Sequence, residues 1–145
     1  MILKVEQQVA LACTFLWAGF ICAISFMESW LKFRVPGVTL PIGLGIGRVV
    51  FNALNKVEWI FAIAILCCLV WSRSLFTWQN CFFFFILVIL VLQTFWLLPD
   101  LDKRATAIIN GNPAGASNTH LYFIAGEVLK LTCLMISGIY LFKQS

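Results

Sequence analysis

The chain has 145 residues, of which 62% are hydrophobic and 11% charged, with a mean hydropathy of +0.98 and a formal net charge of +4. Such a composition excludes an ordinary soluble domain and predicts a single integral membrane domain. Ten Lys and Arg against six Asp and Glu, with no polybasic run and no nucleic-acid motif, argue against nucleic acid as a partner.

Apolar stretches of the length that crosses roughly 30 Å of hydrocarbon, about 20 residues, are predicted at Val9 to Met27, Phe51 to Trp71, Phe76 to Leu98 and Leu121 to Phe142. The fold expected is all-α, an integral membrane four-helix bundle with both termini on the same side. The first span is expected to be retained, because Lys4 is offset by Glu6 and the apolar run exceeds a signal-peptide core. The connection from Glu28 to Val50 carries Pro36, Gly37, Pro41, Gly43, Gly45 and Gly47, which break helices, among Val, Leu and Ile too apolar for a solvated loop. It is therefore predicted to be a partly embedded loop at the bundle mouth. The connection after Pro99 predicts a short amphipathic surface helix to Ile109, and Ser117 or Asn118 offers an N-cap for the last span.

Lys32, Arg34, Arg48, Lys103 and Arg104 lie near the two long connections, while Lys4, Arg73 and Lys143 lie at the termini and the short turn at Ser72 to Leu75. The positive-inside rule then makes the long-connection side cytoplasmic. Trp30 and Trp96 on one side, and Trp71 and Trp78 on the other, suit interfacial belts. Cys13, Cys22, Cys67, Cys68, Cys81 and Cys133 contain no C-x-x-C and are read as small buried hydrophobes.

Ionisable groups inside apolar spans are expensive and mark candidate sites. Arg48, Asn52, Asn55 and Glu58 share one stripe of the second span; His120 and Glu127, seven apart, share a face of the last. Gln93 comes from the third span and Glu28 from the end of the first. Counting 1.5 Å per residue sets Glu58 and Glu127 at similar depth, with Glu28 and His120 nearer the mouth. Lys32 and Lys130 are read as local partners of Glu28 and Glu127.

Three carboxylates and an imidazole, with Asp100 or Asp102 to complete the set, are donors for a divalent metal such as iron, manganese or zinc. The leading expectation is a metal-binding membrane enzyme acting on a lipophilic substrate, with Glu58, His120, Glu127 and Glu28 as ligands and catalytic groups. A second holds an anionic amphiphile or quinone-like carbonyl compound on Arg48, Arg34 and Arg104, with Asn52, Asn55 and Gln93 alongside. A third is a structural subunit whose ion pairs tie the bundle together. Partners expected are the bilayer, such an amphiphile and a homo-oligomer contacting through Ala18, Gly19, Ala23, Gly126, Gly138 or the Phe82 to Phe85 run.

In length, span count and the stretch Phe26-Met-Glu-Ser-Trp-Leu-Lys-Phe-Arg34 followed by Val-Pro-Gly, the whole chain resembles small four-helix bacterial membrane proteins of the anthrone-oxygenase-like group. That resemblance implies a bacterial inner-membrane location and an oxidative function, without assigning residues. Locally, Arg48 with Asn55-Lys-Val-Glu58 is similar to a second-helix pattern of the membrane-associated eicosanoid and glutathione metabolism proteins. It would imply a glutathione-transferase-like protein and glutathione binding by Arg48, Asn55 and Glu58, but Val49-Val-Phe-Asn-Ala53 replaces that family's Arg-rich run.

Overall fold

All regular secondary structure in the described residues is helical, gathered into four rods long and apolar enough to cross a membrane. The computed structural model describes residues 2–72, 80–112, 115 and 117–144, and their side chains from 5 to 143. The Lys4 side chain, Arg73, Leu75, Phe76, Trp78 and Pro113 therefore fall outside the described residues. The helices are α1 (residues 2–34), α2 (Leu40–Trp71), α3 (Cys81–Ile109) and α4 (Thr119–Gln144).

Two of these rods change pitch near the same level. In α1 a π-helical segment, Cys22–Glu28, precedes a last α turn, Ser29–Leu31, and a 3-10 turn, Lys32–Arg34. Wider turns leave carbonyls poorly paired, and the Ser29 hydroxyl donates to Ser25 O at 2.8 Å and Ile24 O at 3.4 Å. In α3 the π segment Gln93–Leu97 stands just before Pro99, with the Leu98 N–H bonded five residues back to Gln93 O. Proline has no N–H for the carbonyl four residues earlier, so widening the preceding turn absorbs the misfit without breaking the rod.

The Pro/Gly-rich connection is mostly helix, which corrects the expected loop from Glu28 to Val50. Pro41 is tolerated because it lies in the first turn of α2, where amides have no intrahelical partner. Gly43 and Gly47 are buried, four apart on one face: a Cβ on Gly43 would enter the Phe33 ring, and one on Gly47 would stand 2.9 Å from Lys32 Nζ. They serve close approach to the end of α1. Only residues 35–39 turn, closed by the Val38 N–H to Val35 O bond, with Gly37 at φ +88°.

The helix predicted after Pro99 exists as Leu98–Ile109, but it continues α3 and packs on α2 rather than lying on a surface. Gly111, at φ +79°, ends it. Ser117 Oγ accepts from the Thr119 N–H at 3.1 Å at the start of α4, as its position predicted.

Trp17, Ile21, Ala62, Ile65, Ile86, Leu90 and Leu134 form the apolar core. Lipid removes the hydrophobic drive between helices, so close packing and polar contacts hold such a bundle. Large outward residues such as Val49, Phe95 and Phe142 suit lipid. Of the six free cysteines only Cys133 is buried; Cys22, Cys67 and Cys81 face outward, which corrects their reading as buried hydrophobes.

Candidate functional site

Lys130 is fully buried in the middle of α4, where its stem has no route to water. Its ammonium bonds Glu127 Oε1, one turn back, at 2.8 Å, and reaches across to Glu58 Oε1 on α2. Glu58 and Glu127 are themselves 2% and 0% exposed. The equal depth expected of these two carboxylates is thus realised as one Glu–Lys–Glu triad.

All four helices contribute to it. From α1 the Trp17 indole N–H donates to Glu58 Oε1 at 2.9 Å, and the Ser25 hydroxyl donates to Glu127 Oε2 at 2.7 Å. From α3 the Gln93 amide donates to Glu127 Oε1 at 2.8 Å and to Phe123 O at 3.4 Å. Ser25 and Gln93 lie in the two π segments, whose altered pitch aims both at the same carboxylate. Gly126 makes this possible on α4, since a Cβ there would stand 2.9 Å from Gln93 Nε2 and 3.3 Å from Ile89 Cγ2.

Above Glu127 a cleft of about 30 Å³ is lined by Ser25, Phe26, Ser29, Phe51, His120, Phe123, Ile124 and Glu127. That volume holds roughly one or two water-sized groups. Glu127 is its floor and His120 stands on its wall. No hydrogen bond to the imidazole occurs among the described residues. Lys32 lies close enough to act electrostatically on His120. The Lys32 ammonium has one long bond to Glu28 Oε2, 3.3 Å, and rests over the Phe33 and Phe51 rings at 5.6 and 5.3 Å. Glu28 Oε1 is buried with no partner among the described residues.

The remaining predicted residues are dispersed. Arg48 holds Asp102 with two bonds, 2.5 and 3.1 Å. Asn52 is exposed and bonds Arg48 O, while Asn55 is buried against Thr94 at 3.0 Å. Trp59 donates to the same Thr94 hydroxyl at 2.9 Å, and that hydroxyl donates to Leu90 O at 2.7 Å. Arg104 pairs with Asp100 at 2.9 Å, and Thr119 donates to the same carboxylate at 2.6 Å. Arg34 lies over the Trp30 ring at 4.3 Å. Arg48 and Arg104, two cations expected to hold an anion, are thus already paired.

The metal reading needs correction on its donor set. Among the described residues no three of His, Cys, Asp and Glu stand together as ligands. The Lys130 ammonium lies between Glu58 and Glu127, Glu28 pairs with Lys32, and Asp100 and Asp102 are held by arginines. These residues do not fit a shared metal. The small residues offered for an oligomer contact are largely used inside: Ala18 is in the core, Gly126 admits Gln93 and Gly138 admits the Phe15 ring.

Sequence reasoning missed Trp17, Ser25 and Thr94 and gave Lys130 too small a part. Lys130 carried a signal, being a lysine more than two turns inside a span; Trp17 and Ser25 carried little. No family model, curated protein or solved structure matches the chain.

Proposed function

We propose that this membrane protein binds the polar head of a lipophilic molecule in the cleft between α1, α2 and α4 and exchanges a proton with it. The observation that carries this reading is the unspent hydrogen-bonding capacity around the cleft. His120, two of the three Lys32 N–H groups and Glu28 Oε1 have no bonded partner among the described residues, and a buried carboxylate, Glu127, forms the floor. The cleft's size suits a hydroxyl or carbonyl, with the tail left in lipid.

In this reading Lys32 orients the head, His120 gives or takes a proton at the opening, and Glu127 does so from below. Oxidative chemistry of the kind the anthrone-oxygenase-like resemblance implies would need a co-reactant, and no step is assigned to one. In this reading both termini lie opposite the cleft, and the cleft opens on the cytoplasmic side of a bacterial inner membrane. Arg34 and Lys103, cations there with no bonded carboxylate among the described residues, favour that sidedness.

The test is thermal stabilisation of the protein in nanodiscs by decyl-benzoquinone and dodecanol, which carry a carbonyl and a hydroxyl head. At least one should raise the unfolding temperature of the wild type, and His120→Ala or Lys32→Met should abolish the rise. Equal shifts in wild type and both variants, or no shift with either probe, would reject the reading.

A further inference from the structure

We infer that the Glu58–Lys130–Glu127 triad is a proton store in which Glu58 is held as the neutral acid and Glu127 as the anion. Its delivery to a ligand head rests on the reading of the cleft given above; the location of the proton does not.

Charge sets the number of protons. Two carboxylates share one ammonium at 0 to 2% exposure, deep in helices able to cross a membrane. With both ionised the triad carries an uncompensated negative charge, which is strongly unfavourable in such surroundings. No other cation bonds either carboxylate among the described residues: Lys32 is on Glu28, Arg48 on Asp102 and Arg104 on Asp100. His120 faces the cleft rather than the triad. One extra proton makes the whole neutral.

Hydrogen-bond donors set its place. Glu127 receives three, from Lys130 and Gln93 on Oε1 and Ser25 on Oε2, so both oxygens are served as an anion requires. Glu58 receives both of its donors, Trp17 and Lys130, on Oε1 alone. Oε2 receives none among the described residues, which leaves it the oxygen free to carry the proton. Asn55, one turn away on α2, is committed to Thr94 and does not compete.

The proton can move without separating charge. Lys130 gives one N–H hydrogen to Glu127 Oε1 while Glu58, after a half-turn of its carboxyl group, gives its hydrogen to Lys130 Nζ. The ammonium is restored, Glu58 becomes the anion and Glu127 the acid, and the total charge is unchanged. Glu127 then presents the proton at the cleft floor, where a ligand head or water takes it. Lys130 and Glu58 thereby join the site as proton carriers, although neither lines the cleft.

Carboxyl-carbon NMR of protein labelled with 13C in Glu side chains and 15N in Trp indoles tests this in wild-type protein at neutral pH. The chain has four glutamates, Glu6, Glu28, Glu58 and Glu127, so few resonances compete. One neutral acid is expected, and its carbon should show a dipolar contact with an indole nitrogen, since Trp17 Nε1 is 2.9 Å from Glu58 Oε1. Four ionised carboxylates would overturn the store. An acid carbon without an indole contact would overturn its assignment to Glu58. Neither result depends on a ligand, so failure of the cleft reading is seen separately in the probe experiment.

Discussion

Replacing Lys130 by methionine removes a charge while nearly conserving volume, and it separates two accounts of the triad. If the ammonium is worth only its contacts, one interhelical polar contact at the membrane average of about 0.6 kcal/mol and one pair within α4 of about 0.2–0.5 kcal/mol sum to roughly 1 kcal/mol. If it is the counter-charge of a buried anion, its loss strands Glu127 at 0% exposure, and breaking such a pair costs about 3–5 kcal/mol. We expect the larger figure at neutral pH, read from unfolding of the reconstituted protein. The loss should shrink on acidification. A carboxylate without a counter-charge stays buried only as the neutral acid, so the folded variant holds more protons than the unfolded chain and its stability rises as pH falls. Adding Glu127→Gln should recover most of the loss even at neutral pH, because Glu58 is then the one carboxyl left and is already neutral. A loss of about 1 kcal/mol or less that does not vary with pH would refute the counter-charge account.

Thr94→Val deprives Asn55 and Trp59 of the hydroxyl that accepts from both, and should lower the stability of the bundle by about 1–3 kcal/mol, with Thr94→Ser close to wild type; an unchanged unfolding midpoint would show that those donors find other partners. Gly47→Ala puts a methyl 2.9 Å from Lys32 Nζ, the far end of a flexible chain, so stability should change by less than about 0.5 kcal/mol while stabilisation by the cleft probe falls; retained probe binding would remove Lys32 from the site.

The rods, and the level at which their polar groups lie, were legible because burial in lipid demands apolar runs and a fixed rise per residue. Glu58 and Glu127 share a depth on that count, with Gln93 contributed by the third span and His120 and Glu28 nearer the opening. The metal set was not sustained because phase counting shows which residues share a face, not which cation lies between them. Lys130, three positions from Glu127, looked like a local partner, and its reach to Glu58 is a property of the packed interface. Ser25 escaped because a uniform 100° step fails inside a π segment, and Pro36, Pro41 and the glycines misled because composition alone does not tell a tightly packed helix start from a loop.

The ion pair within α4 also bears on how the chain enters the bilayer. This is the least apolar of the four spans, yet its two mid-span charges stand one turn apart and opposite in sign. The helix can therefore leave the insertion machinery already neutral, while Glu58 travels in α2 as an uncharged acid. Assembly then relocates hydrogen bonds around carboxyl groups that were each neutralised within their own helix, and neither Glu58 nor Glu127 has to wait for a partner helix before it becomes soluble in lipid.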